Sequence, residues 1–156
     1  MRVLCIASGG GHLEQMLSCV GALEGHEAYL AHYDYGTFHK FKPPCFKRGF
    51  PVFFWADGGI RLLLATLITI PQWIWILMQV RPHALFSTGS ELAIVPFWVG
   101  KILFRARCVF VESATRQDSP SLTGRCLYPV VDALFVQSPA LLPHYGSKAR
   151  FEGSLV

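Results

Sequence analysis

Three short stretches carry residue types that could do chemistry on a phosphorylated ligand. Ser8-Gly9-Gly10-Gly11-His12 joins an apolar run to a helical pattern. Glycines at such a junction let a ligand approach the backbone and the helix N-terminal amides, which attract anions, so a diphosphate could sit there. His12 at its mouth could take a hydroxyl proton near neutral pH, orient a phosphate, or simply pack or cap. Ser87-Thr88-Gly89-Ser90-Glu91 is a second small-residue turn. Thr88, Gly89 and Ser90 offer either a second set of amides or a plain cap by Ser90. Glu112 ends the run Val109-Phe110-Val111 and is the best-placed carboxylate for catalysis. Arg116 could pair with it, structurally or otherwise, or clamp a phosphate. As a dinucleotide fingerprint the first turn is weak, because the third glycine of G-x-G-x-x-G is replaced by Glu14, although Asp34 lies where a ribose-binding acid is sought. No Ser/His/Asp triad, metal-ligand spacing or D-x-D is evident, so neither a metal nor a cofactor is expected.

The elements that must hold these residues follow from periodicity. Arg2 to Ala7 reads as a strand, and His12 to Leu23 has the apolar spacing of a helix. Glu27 to Ala31 and Pro51 to Phe54 read as strands, with a loop rich in Lys, Phe and Pro between them. The alternation resumes with Ala84 to Phe86 and a helix from Glu91, then Cys108 to Val111, then Ala133 to Val136 and Pro139 to Tyr145. Such alternation predicts an α/β fold, a Rossmann-like parallel sheet with helices on both faces. All three motifs then fall on its carboxyl edge, where ligands bind in open sheets. The 156 residues fit one domain spanning 1–156.

Composition points to extra apolar surface. Hydrophobic residues make up 52% and charged residues 15%, against about 25% charged in ordinary soluble domains. The net charge of +4 without basic runs argues against nucleic acid. Five cysteines without a C-x-x-C pair suggest a reducing compartment, and the absence of a signal-like N-terminus suggests a chain that is not exported. Leu62 to Val80 carries no charge and is bracketed by Arg61 and Arg81, with Trp73 and Trp75 inside it; 60–81 is therefore a candidate membrane segment. A full span would put the flanking strands on opposite sides of the bilayer, and Pro71 would kink or split a helix. The pattern favours a helix or broken pair dipping into one leaflet over burial against the sheet or a partner. Upstream, Phe38, Lys40, Phe41, Lys42, Phe46, Lys47, Arg48, Phe50 and Trp55 interleave aromatic and basic residues, as a lipid interface requires, or form a solvated basic loop.

Val111-Glu112-Ser113-Ala114-Thr115-Arg116, Leu122-Thr123-Gly124-Arg125, Leu127-Tyr128-Pro129, Asp132, Phe135-Val136-Gln137-Ser138-Pro139 and Gly153 together resemble the membrane-anchoring subunit family of the N-acetylglucosaminyl-diphosphodolichol transferase. Bacterial relatives in that family act as small subunits, or enhancers, of glucuronosyl- or galactosyltransferases in exopolysaccharide and capsule assembly. The glycine turn and the Ser87 to Glu91 turn resemble the family's other motifs. The resemblance implies the N-terminal half of a split, inverting GT-B glycosyltransferase. Its partners would be a catalytic chain binding UDP-sugar, a polyprenyl-diphosphate-linked acceptor, and the cytoplasmic face of the plasma membrane. It carries a catalytic histidine onto His12 and a catalytic acid onto Glu112. A chain of this kind would transfer sugar only with its partner, or, alternatively, would be a non-catalytic scaffold that recruits and stabilises that partner. The chain departs from the eukaryotic pattern in lacking an N-terminal membrane helix and in having Ala114-Thr115 and Gln117, which resembles a bacterial member.

Overall fold

The computed structural model describes residues 1–33, 45–53, 64 and 67–155. Seven strands form one parallel sheet: β1 (Arg2–Ala7), β2 (Glu27–Tyr33), β3 (Arg48–Val52), β4 (Ala84–Thr88), β5 (Arg107–Val111), β6 (Ala133–Phe135) and β7 (Ala149–Arg150). Their order is β3-β2-β1-β4-β5-β6-β7, with register pairs such as Ile6 with Ala31 and Ile6 with Ser87. The chain thus winds one way from β1 and, after β3, returns to wind the other. The crevice between β1 and β4 is the switch point of a Rossmann-like sheet. This is the fold class expected from the sequence.

The helices are α1 (Gly11–Ser18), α2 (Ile70–Val80), α3 (Ile94–Phe104), α4 (Leu122–Leu127) and α5 (Leu142–Tyr145). Alternating residues of each strand face opposite sides, so one sheet has two cores. Leu4, Ile6, Leu85, Cys108, Phe110 and Leu134 belong to the larger core with α2 and α3. Val3, Cys5, Ala7, Ala28 and Leu30 pack with Leu13 and Met16 of α1 in the smaller one. On that second side no helix among the described residues packs over β4, β5 and β6. Val3, Phe86, Val109, Val111 and Phe135 floor a cavity of about 460 Å³ there, rimmed by Gly153, Ser154 and Leu155.

Several local expectations are corrected. The helix predicted over His12 to Leu23 ends at Ser18, and Val20–Leu23 is a separate 3-10 turn. The third strand begins at Arg48, earlier than predicted, because Tyr29 to Tyr33 of β2 pair with Arg48 to Val52. Pro71 splits rather than kinks the helical segment, as one of the two expected outcomes: helical residues 67–68 stop at a turn at Thr69, and Pro71 occupies the first turn of α2, where its missing N–H costs nothing. Trp73, expected at the membrane, is 1% exposed and lies in the core with Ile76, Leu77 and Val80, because α2 turns one face onto the sheet. Trp75 faces outward at 50% exposure, edge-on to Phe50. Phe46 and Phe50 also point inward, Lys47 pairs with Glu27 at 2.8 Å, and Arg48 covers the Phe50 ring. Asp34, Phe38, Lys40, Phe41, Lys42, Trp55 and Arg61 lie outside the described residues. No helix among the described residues is long and apolar enough to cross a membrane.

Candidate functional site

The turns after β1, β4 and β5 meet at the switch point. Ser8 is buried, and its N–H donates to Ser90 Oγ at 3.0 Å, tying the first two turns together. Ser87 Oγ donates to the Ile6 carbonyl at 2.8 Å, and Thr88 Oγ1 donates to the His12 carbonyl at 2.6 Å. Thr88 and Ser90 are thus committed to holding the turns in place, and the cap role considered for Ser90 is not used by the turn it precedes. Gly9 to Gly11 stay partly or fully exposed, and Gly10 sits at φ 71 as the N-cap of α1 without a side-chain cap. Its carbonyl accepts the Leu13 and Glu14 N–H groups, and the first-turn amides of Gly11 and His12 have no partner within the helix.

His12 lies across Gly89 and against the third turn. A methyl group placed on Gly89 would stand 2.8 Å from His12 Cε1, 2.9 Å from its Nδ1 and 2.9 Å from Ser113 Cβ. Gly89 also has φ +79, so glycine is required there both for backbone conformation and for this close approach. His12 Nδ1 is buried without a hydrogen-bond partner. His12, Gly89 and Ser113, 77 and 24 residues apart in turn along the chain, therefore bring the three turns into one constellation around an imidazole.

Glu112 is fully buried and surrounded by donors. One oxygen accepts the Ser113 N–H at 3.0 Å. The other accepts the Ser121 N–H at 3.2 Å and the Tyr145 hydroxyl. Burial, then the hydrogen bond to Glu112 and its charge, push the Tyr145 phenol above its ordinary value, keeping it a donor at neutral pH. Ser113 and Ser121 are the two ends of an exposed loop, so the carboxylate clamps that loop shut. The loop presents Arg116, exposed, with its N–H on the Ser113 carbonyl at 2.9 Å. The ion pair between Glu112 and Arg116 left open by the sequence is not formed: the described ion pairs are Lys47–Glu27 and Lys101–Asp132. The guanidinium is free for an anion. Among the described residues no group of His, Cys, Asp or Glu could hold a metal ion.

The sequence offered Gly124 only as part of the family resemblance and Tyr145 only as the end of a helical segment, and placed neither against Glu112. Tyr145 is 33 residues from Glu112, with no local signal of the contact. Gly124 follows Ser121 at a capping interval, and the Ser121 side chain accepts its N–H at 2.8 Å, a pattern that could have been read. A second tyrosine, Tyr33 at the end of β2, donates to Glu91 beside the second turn.

The architecture has known counterparts. The UDP-N-acetylglucosamine transferase subunit ALG14 of Eremothecium gossypii is 40% identical over 84 residues, 51% of this chain and 37% of that protein. The same subunit of Kluyveromyces lactis is 34% identical over 107 residues, 64% of this chain and 45% of that protein. The chain thus spans less than half the length of these curated relatives. Among solved structures, MurG of Acinetobacter baumannii superposes with a TM-score of 0.77 at 14% identity, over 96% of this chain and 45% of that one. The UDP-GlcNAc 2-epimerase of Methanocaldococcus jannaschii, in complex with UDP-GlcNAc and UDP, gives 0.72 at 16% identity, over 99% and 47%. At those identities the likeness is one of fold, the Rossmann-like half of a GT-B architecture. Residues 59–155, which include the second and third turns, match the family described as oligosaccharide biosynthesis protein Alg14 like, and the chain belongs to that family.

Proposed function

We propose that this chain is the acceptor-binding and membrane-docking half of a two-chain, inverting glycosyltransferase. The complex would move a sugar from UDP-sugar to a polyprenyl-diphosphate-linked glycan at the cytoplasmic membrane face. N-acetylglucosamine, the sugar in the names of its relatives, is the first candidate, with glucuronic acid and galactose the others. The observation that carries this reading is the placement of His12 over Gly89 and Ser113, beside open helix amides and an uncompensated Arg116.

In this reading the amides of Gly11 and His12 and the Arg116 guanidinium hold the acceptor diphosphate. His12 takes the proton from the acceptor hydroxyl through Nε2, since Nδ1 is enclosed. The hydroxyl oxygen attacks the anomeric carbon, the bond to UDP breaks, and the partner chain stabilises the departing diphosphate. Of the two candidate bases His12 is favoured. The Glu112 carboxylate is enclosed by three donors and would have to leave Tyr145 to reach a substrate. Its part is to hold the Arg116 loop. The open apolar cavity over β4 to β6 supports a partner chain, because exposed apolar sheet surface is costly in water.

The test is transfer of radiolabelled UDP-sugars to polyprenyl-diphosphate acceptors by this chain, by its candidate partner, and by both together. Transfer only by both is expected, with loss of about a hundredfold or more in kcat for His12→Ala in an intact complex. Full activity of His12→Ala and Arg116→Ala complexes would instead favour the scaffold role. Transfer by this chain alone would sink the split-enzyme reading.

A further inference from the structure

The first turn of α1 carries an anomaly that the proposed reaction leaves unexplained. Among the described residues, two buried side-chain nitrogen or oxygen atoms lack a hydrogen-bond partner, His12 Nδ1 and Gln15 Oε1. A buried polar atom without a partner is costly, and folded proteins contain few of them. Both of these fall within one turn of one helix, beside the constellation that His12 makes with Gly89 and Ser113.

Residues three apart on a helix are neighbours on one face, and helical side chains lean toward the N-terminus. Gln15 therefore leans back over the turn that holds His12. The oxygen of its carboxamide is enclosed, and an oxygen of this kind can only accept. An imidazole nitrogen donates or accepts according to the tautomer. Within this pair the bond that satisfies both atoms at once is donation from His12 Nδ1–H to Gln15 Oε1. It takes a turn of the flexible Gln15 side chain and no change in the helix. Other groups near the ring are already engaged. Thr88 Oγ1 donates to the His12 carbonyl at 2.6 Å, and Ser113 Oγ shares a hydrogen bond of 3.0 Å with Thr115 Oγ1. The Glu112 carboxylate is taken by Ser113, Ser121 and Tyr145, and Glu14 is exposed.

We propose that Gln15 is a positioning residue for His12: its carboxamide oxygen accepts the Nδ1–H and so fixes the tautomer in which Nε2 carries a lone pair. The inference rests on the reading of His12 as the base and adds what makes the ring ready for that task. A neutral imidazole with its proton on Nε2 cannot take another from a hydroxyl there. Enclosure of Nδ1 does not choose the tautomer, because an unpaired nitrogen is costly in either form. An acceptor at Nδ1 does choose it. When the hydroxyl proton arrives on Nε2, the ring keeps its Nδ1–H, and the carboxamide oxygen stabilises the new positive charge. Because the carboxamide is neutral, the ring is oriented without a second negative charge beside the acceptor diphosphate.

The experiment reads the tautomer first. Nitrogen NMR of the full chain carrying isotopically labelled histidine, at about pH 8.5, where an ordinary imidazole is neutral, distinguishes the protonated ring nitrogen from the bare one. The His12→Ala variant identifies the His12 signals by their loss. Wild type is expected to carry the proton on Nδ1. Gln15→Met keeps a long, helix-favouring side chain and removes the acceptor, and should move the proton to Nε2. Gln15→Glu restores an oxygen acceptor and should return it to Nδ1. A wild-type ring protonated on Nε2, or one protonated on Nδ1 in both wild type and a folded Gln15→Met chain, would overturn the proposal. In transfer assays with the partner, Gln15→Met should lower kcat about ten- to a hundredfold and leave KM for both substrates within about twofold, with most of the loss recovered by Gln15→Glu. A raised KM with unchanged kcat would overturn it by giving Gln15 a part in binding. The two ideas fail separately. A fully active His12→Ala complex would remove the base and leave the tautomer result standing, whereas an Nε2-protonated ring in a complex that needs His12 would remove the role of Gln15 alone.

Discussion

Gly124→Ala offers a demanding test of the clamp that holds the Arg116 loop. A methyl group at this position would lie 2.0 Å from Tyr145 Oη, 2.6 Å from Glu112 Oε2 and 2.9 Å from Tyr145 Cζ. None of these is the loose end of a flexible chain, since Tyr145 and Glu112 are both buried and bonded to one another. Overpacking costs about 1 to 3 kcal/mol, and loss of a hydrogen bond to a buried carboxylate about 1.5 to 3 kcal/mol. The sum is about 2.5 to 6 kcal/mol. With a urea slope of about 2 kcal/mol/M the unfolding midpoint falls by about 2 M. Tyr145→Phe alone should cost about 1.5 to 3 kcal/mol, because it leaves the carboxylate one donor short. It also removes the oxygen the new methyl group would strike. The double variant should therefore be more stable than additivity predicts by about 1.5 to 3 kcal/mol, the hydrogen-bond loss that both single variants include, with some strain remaining against Glu112. Strict additivity, or a Gly124→Ala protein within about 0.5 kcal/mol of wild type, would refute the packing argument.

Other consequences are open to measurement. Gly89→Ala, strained by its φ and pushed against His12, should lose about 1 to 2 kcal/mol of stability and most transfer activity while keeping partner binding by gel filtration; normal transfer would mean that the His12 position is irrelevant. Partial burial pushes the Asp132 carboxyl up, but the hydrogen bonds from Lys101 and from the Cys108 N–H outweigh it and hold the group below its usual range. The folded state then binds fewer protons than the unfolded chain, so this stabilisation is present at neutral pH and fades as pH falls through the depressed value. Asp132→Asn should flatten that part of the acid limb of a stability–pH curve and cost under about 1 kcal/mol at pH 7. Burial raises the Cys108 thiol to about 12, and Cys5 is also fully buried and raised. Both should resist iodoacetamide in the folded chain and react only on unfolding, whereas early labelling of either would contradict its enclosure.

The sequence by itself determined the sheet and the identity of its edge. β-branched runs ending in small residues, followed by helical periods, leave little alternative to a parallel sheet, because parallel strands need crossovers. The placement of Ser8 to His12, Thr88 to Ser90 and Glu112 on that edge was legible for that reason, since each segment stands at or just past the end of a strand. The tertiary structure decided everything that depends on which way a side chain turns. Trp73 and Trp75 sit two residues apart in one charge-free segment, yet one is core and the other surface, because successive helical positions point about 100° apart around the axis. The buried lock on Glu112 required Tyr145 to arrive from the far end of the chain through the space left by Gly124, and local pattern encodes no such distance. Spacing along the chain fixes which edge a residue reaches, and packing in three dimensions fixes what it meets there.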